Sequence, residues 1–339
     1  MKKIILFILL ILCVGCSNKD KRVINVLNWS SYIPNSVVED FEKETGIVVN
    51  YSTYSSNEEL LAKVSSAKEG TYDLIFPSDY MIEIMKTRNL IDNLDLAKLS
   101  NIDNINKTYM NLDYDKNNEY SIPFIAATTV IAVNREKIKD TIISYNDLLN
   151  PNYKGEIVLI DDQRIIIGMG LLTNGYNMNS INDNELESAK EWLLKLKPNL
   201  KAYDSDSPKN FLITEEASIA VLWNAEAALA KEYNPNIEIV FPKEGIALSI
   251  DNFAIPKGSK HKDDTYLFID YLLRGDVMKR IIESYPYKNI NKETDKLLSN
   301  NYLLNDAANI SDENMKKGFF VDNIGDKVKL YDKIWAYIK

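Results

Sequence analysis

The chain has 339 residues, enough for two domains on a prior of about 100–200 residues each. Its 40 lysines and arginines are outweighed by 49 acids, a formal charge of −9, which argues against a general nucleic-acid binder and favours a cationic partner. The single histidine, His261, lies in the polar stretch Lys257 to Lys262 and is expected to be solvated. That leaves Ser-His-Asp catalysis, His-rich metal sites and imidazole base chemistry with almost nothing to work with.

Residues 1–15 read as an export signal. Lys2-Lys3 form a basic start, and the apolar run Ile4 to Leu12 is too short to span a bilayer as a permanent helix. Leu12-Cys13-Val14-Gly15-Cys16 resembles a bacterial lipoprotein cleavage box, with small Gly15 before Cys16. Acylation at Cys16 would make residues 16–22 a polar tether between anchor and globule. With Cys13 removed in the signal, no free thiol would be left for a disulfide framework or a nucleophile.

Val23 to Leu27 is a β-branched, apolar run that predicts a strand ending at Asn28-Trp29-Ser30-Ser31-Tyr32. Ser36 is placed to cap a helix carrying Val37, Val38 and Phe41, and Gly46 stops it before a strand over Ile47 to Tyr51. A helix from about Glu58 to Ser66 and a short strand, Asp73 to Phe76, follow. This alternation predicts an α/β fold with a mainly parallel sheet, whose ligands gather at the carboxyl ends of strands. A second α/β region begins after Pro123-Phe124-Ile125: strands at Val130–Asn134, Glu156–Ile160 and Ser218–Leu222, and a helix over Asp183–Leu196. A strand-like Asn252–Ile255 and helices over Asp264–Leu273 and Asp276–Glu283 close the run. Two lobes joined by short crossings would leave a cleft between them.

The common enzymatic signatures fail. Asp113-x-Asp115-x-Asn117 opens like a calcium loop, but its sixth position is Asn118 and its twelfth Phe124. Gly168-x-Gly170 lacks a third glycine, and there is no phosphate-binding loop, nucleophile elbow or Cys-x-x-Cys pair. What survives is a set of aromatics and acids at strand ends and turns: Trp29, Tyr32, Tyr80, Asp162, Trp223, Glu226, Asp251 and Tyr287. Taken singly, each reads more readily as packing, a helix cap or a solvated side chain.

In context they resemble the periplasmic polyamine-binding proteins of ABC importers, the spermidine/putrescine family. The resemblance rests on Asn28-Trp29-Ser30-Ser31-Tyr32, Glu44-Thr45-Gly46-Ile47, Tyr51-Ser52-Thr53-Tyr54, Tyr72-Asp73-Leu74 with Pro77-Ser78, Pro151-x-Tyr153-Lys154-Gly155, Pro242-Lys243-Glu244-Gly245 and Leu272-Leu273-Arg274-x-Asp276-Val277, which occur in family order over nearly the whole chain. It implies the two-lobed type II solute-binding fold with hinge crossings and an interlobe ligand cleft. The lobes would be residues 23–125 plus 252–292 and residues 126–251 plus 293–339. It also implies no enzymatic activity and no cofactor. The implied partners are a polyamine, the permease and ATPase subunits of an importer, and the membrane through the lipid anchor. The protein would be a periplasmic, membrane-anchored monomer on the outer face of the cytoplasmic membrane.

Carried over residue by residue, Trp29, Ser30 and Tyr32 fall on the wall after the first strand, Ser78 and Tyr80 on a second ligand loop, Asp162 on a carboxylate, Trp223 on an aromatic shelf, Asp251 on a bridging carboxylate and Tyr287 on a further wall. The chain departs from spermidine-type members in having Ile165 for an acid, Ser249 for a tryptophan and Val321 for a glutamine; Glu226 resembles an acid of putrescine-type members. The chemistry suits the ligand independently. Polyamine ammonium groups, with pKa values near 10 like a lysine, need carboxylates, and aromatic faces cover the methylenes while attracting cations by about 0.5–2 kcal/mol per ring. The rivals are a same-fold binder of another small cation or amine, a hydrolase using Asp161 and Asp162 as paired acids, and a surface adhesin or sensor lipoprotein.

Overall fold

The computed structural model describes residues 22–339. The expected export signal, Cys16 and the tether through residue 21 lie outside them. β1 (Val23–Trp29), α1 (Asn35–Thr45), β2 (Val48–Tyr54), α2 (Asn57–Ser66), β3 (Leu74–Ile75) and α3 (Asp79–Thr87) build the first layer. The strands form a parallel sheet in the order β2-β1-β3, as the alternation predicts. Ser36 does not cap α1. The helix starts two residues earlier than such a cap would set it, at Asn35 after extended Pro34, and the Ser36 hydroxyl accepts from Arg280 instead. Gly46 does end it, in the left-handed region at φ 71°, where the backbone N–H of Gly46 closes on Glu42 O.

β4 (Ile122–Asn134) is one long buried strand rather than the short Val130–Asn134 segment expected. Burial on both faces removes the alternation that would have marked it. There follow β5 (Ile157–Leu159), α4 (Gln163–Thr173), α5 (Asp183–Leu196), β6 (Leu200–Tyr203), α6 (Lys209–Ile213), β7 (Ile219–Trp223), α7 (Asn224–Tyr233), β8 (Ile237–Val240) and β9 (Ile246–Phe253). The chain ends with α8 (Lys262–Leu272), α9 (Gly275–Ser284), α10 (Lys292–Asp295), α11 (Asn300–Leu304), α12 (Asp312–Met315), β10 (Gly318–Phe320) and α13 (Val328–Ile338).

The second sheet runs β10-β9-β4-β7-β5-β6, with β8 also on β4. It is mixed: β5, β6 and β7 are parallel, but β4 is antiparallel to β7, β8 and β9. β4 and β9 thus run side by side in opposite directions. A third segment joins them where Lys288 bridges Ala126, each N–H bonding the other's carbonyl.

Helix α4 is absent from the sequence expectations, and its Gly168 and Gly170 serve packing rather than any nucleotide. An added Cβ would come within 3.0 Å of Met178 Cε at one and 3.1 Å of the Ala189 carbonyl at the other. In the first layer, Phe41 packs on Phe268 of α8 with ring centroids 4.7 Å apart. Phe76, Phe124 and Phe253 form a buried aromatic triangle with edges of 5.6, 5.2 and 4.5 Å. This rigid base lies directly under Tyr32.

His261 is exposed as expected, but it is not idle. Its Nδ1 lies 3.1 Å from Asp73 Oδ2, and the fully buried Asp73 also accepts from Ser259 Oγ at 2.7 Å and the Asn25 backbone at 2.9 Å. Asp115, in the rejected calcium loop, accepts from the backbone of Tyr120 and Ser121 and from the Ser121 hydroxyl, so it staples its own loop.

Candidate functional site

The carboxyl ends of β1, β2 and β3 on one side and of β5, β6 and β7 on the other face a cavity of about 430 Å³. That size suits a small ligand, for which pockets of roughly 300–1,000 Å³ are usual. Trp29, Ser30, Tyr32, Ser78, Tyr80, Asp162, Trp223, Asp251 and Tyr287 all line it. Glu226, the remaining residue singled out from the sequence, does not. Both of its oxygens accept from Lys209 Nζ at 2.8 Å, so its charge is matched away from the cavity. Burial still raises the Glu226 carboxyl, with Lys209 pulling the other way.

Asp251, near the end of β9, lines the cavity and is 6% exposed. The Tyr32 hydroxyl donates to its Oδ2 at 2.5 Å and the Ser78 hydroxyl to its Oδ1 at 2.7 Å. Asn57 holds Ser78 in turn, donating to its Oγ at 3.1 Å. Burial pushes the Asp251 carboxyl up to about 6, against the pull of the two hydroxyl donors. The two hydroxyl donors fix the carboxyl's orientation, and no ion pair among the described residues matches its charge.

Asp162 caps α4, its Oδ1 accepting from the backbones of Arg164 at 2.9 Å and Ile165 at 3.0 Å. Burial and the facing Glu58 carboxylate raise it to about 6. Tyr80 reaches Glu58 from α3, its hydroxyl donating to Oε1 at 3.2 Å. The aromatic walls are anchored by hydrogen bonds. Trp29 Nε1 donates to Phe76 O at 3.0 Å, Tyr54 OH donates to the same carbonyl at 2.6 Å, and the two rings meet at 4.5 Å. Tyr287 packs on Tyr32 at 5.3 Å.

Sequence reasoning missed several lining groups: Tyr54, Glu58, Asp79, Asp206, Asp332 and Trp335. Tyr54 ends β2 and Glu58 lies just past it, so the strand-end rule applied to β1 and β3 would have found them. Asp332 and Trp335 come from α13, for which no strand-end signal exists. Asp79 is 2% exposed and its Oδ2 has no hydrogen-bond partner. Burial drives its carboxyl well above the ordinary range, although the Tyr80 N–H opposes this. The three departures, Ile165, Ser249 and Val321, also face the cavity. Among the described lining residues the only basic side chain is Arg164. Its Nη2 donates to Asn179 and to Asp322 O and the guanidinium lies 4.8 Å over the Tyr331 ring, while its buried Nε has no hydrogen-bond partner.

Residues 36–303 match the family described as bacterial extracellular solute-binding protein. The chain is 38% identical over 322 residues to the spermidine/putrescine-binding periplasmic protein of Salmonella typhimurium, with 94% of this chain and 92% of the relative covered. It is 37% identical, with the same coverage, to the protein of that name in Escherichia coli. Its fold is similar to the substrate-binding protein of a spermidine/putrescine ABC transporter from Streptococcus pneumoniae, at a TM-score of 0.81, 32% identity and coverage of 94% and 98%. A Treponema pallidum lipoprotein is similar at a TM-score of 0.85, 26% identity and coverage of 94% and 99%. The strand-end cavity, its crossing strands and these likenesses agree: the chain belongs to the bacterial extracellular solute-binding proteins, has their two-lobed fold, and falls with the spermidine/putrescine-binding members.

Proposed function

We propose that this protein captures a polyamine, spermidine or putrescine, outside the cytoplasmic membrane and delivers it to the permease and ATPase of an ABC importer without chemical change. The observation that carries the reading is Asp251, a buried carboxylate held by two hydroxyl donors in an aromatic-lined cavity where acids outnumber the one basic side chain, Arg164, among the described lining residues. An ammonium group replaces lost hydration there through charge-assisted hydrogen bonds, and the rings take the methylenes. The names of the relatives support the same ligand class. The nine lining residues singled out from the sequence are the proposed contacts, and Glu226 is proposed to act only at a distance. We place the lobes at residues 23–125 plus 252–292 and 126–251 plus 293–339, and the lipid anchor at Cys16. Hydrolysis by Asp161 and Asp162 is disfavoured by their engagement, since Asp161 pairs with Lys339 and Asp162 caps α4.

Calorimetric titration of the soluble chain with putrescine and spermidine tests the reading. Stoichiometric binding of at least one amine, with the amine recovered intact, is expected. Saturable binding of an amino acid or sugar with no response to either amine would overturn it.

A further inference from the structure

Against two residues that line the cavity, Asp161 and Trp335, an ammonium group is already seated. Lys339, the residue following α13, pairs with the Asp161 carboxylate, and its Nζ lies 5.0 Å from the Trp335 ring centroid and 5.6 Å from that of Tyr203. The two rings meet edge to face at 5.2 Å, and the Asp161 backbone is fixed by donating to Ser205 Oγ at 3.0 Å. A primary alkylammonium on a carboxylate between two aromatic rings is the chemistry an incoming amine would seek. Two members of this box, Asp161 and Trp335, also line the cavity, beside Asp206 and Asp332. The Lys339 side chain is 37% exposed, so it can leave its place without unfolding anything. Glu226, outside the lining, is likewise matched by a lysine, Lys209. Of the further lining acids, Asp161 is the one held by a cation of the chain's own among the described residues, beside Glu58, Asp206 and Asp332.

We propose that Lys339 is an internal competitor that sets ligand length: its ammonium holds Asp161 and Trp335 against the third ammonium of a longer polyamine. The inference rests on the reading of the cavity as a polyamine site. A diamine satisfied deeper in the cavity, at Asp251 and Asp162, does not meet Lys339; a triamine must displace it.

The test is calorimetric titration of putrescine and spermidine into the wild-type chain, K339Q, K339R, D161N and the D161N/K339Q double variant at fixed salt. K339Q should raise the spermidine-to-putrescine affinity ratio by about fivefold, the worth of one half-exposed ion pair with aromatic support. K339R should keep the wild-type ratio. Adding K339Q to D161N should leave the D161N ratio where it was, because the carboxylate being competed for is gone. An unchanged ratio in K339Q, or an equal shift for both amines as a merely structural role would give, overturns the proposal while leaving the cavity's function intact. Failure of the wild-type chain to bind either amine would instead remove the reading of the cavity, and this inference with it.

Discussion

Asp251 shows how a single side chain is made into a cation receptor. A lone carboxylate taken out of water is costly, and the two hydroxyls that donate to it offset only part of that cost. The remaining demand is met by a ligand ammonium. Asp251→Asn removes the charge while keeping size and one acceptor oxygen. Truncating one partner of a buried charged pair costs about 2–5 kcal/mol, so amine affinity should fall at least roughly thirtyfold. Calorimetry at fixed salt, with circular dichroism to verify the fold, measures this; a loss under about threefold would take Asp251 out of the contact set. Asp79 stands close by, buried and with Oδ2 unpartnered, but burial favours its neutral carboxyl, so the charge at this wall is carried by Asp251.

At the scale of elements, the site depends on how strands hand over to helices. β5 runs into α4 through Asp162, whose side chain closes the first turn of the helix while the same carboxyl faces the cavity. The two roles are separable. Asp162→Asn keeps a good cap residue and loses the charge, so thermal stability should hold while amine binding weakens by an order of magnitude or so, the scale of one lost charge contact. Asp162→Ala loses both, adding a cap penalty of about 0.5–2 kcal/mol. Thermal melts and titrations of the two variants side by side decide it: equal melting temperatures for the two would show that the cap does not hold α4. The short β10 makes a similar dual contribution. Gly318 lets it lie against Leu248, where an added Cβ would fall 2.1 Å from Leu248 Cγ, and so brings Val321 to the cavity wall.

The whole molecule is joined through β4, β9 and the segment around Lys288, which lie side by side. Asp251 and Tyr287 sit on two of these crossings, so the ligand is gripped where the connections run, and closure of a hinged clamp would tighten both walls at once. Ligand binding and protonation then compete. Asp162 and Asp251 are pushed up to about 6 in the ligand-free fold, above an unfolded aspartate near 3.9. Free folded protein thus binds these protons more tightly than the unfolded chain does. The stability they contribute to the free fold is present below about pH 4 and is lost as pH rises through about 6. An ammonium ligand has the opposite preference, because it needs both groups ionised. The rise in melting temperature given by saturating putrescine should therefore be full at about pH 7–8 and shrink as pH falls through 6 toward 4. Differential scanning fluorimetry across that range reads it directly, and an increment independent of pH would contradict the ionised-carboxylate site.

Much of this was legible along the chain. The β1, α1, β2, α2, β3 alternation follows from local periodicity and turn residues, and the strand-end position of Trp29, Ser78 and Asp162 is a local property that survives into the fold. The net negative charge and the absence of enzymatic signatures are likewise properties of the sequence alone. Other features depend on distance in space. Strands β4 and β9 were underestimated because burial on both faces erases the pattern that marks a strand. Glu226 looked like a ligand acid because sequence shows a charge but not its partner, and Lys209 is 17 residues away. Asp332 and Trp335 line the cavity, and Lys339 lies beside Trp335, only because α13 packs back against α4 and α5. What an acid or a ring can do is set by its type; whether it is free to do so is set by which cation and which wall the fold brings beside it.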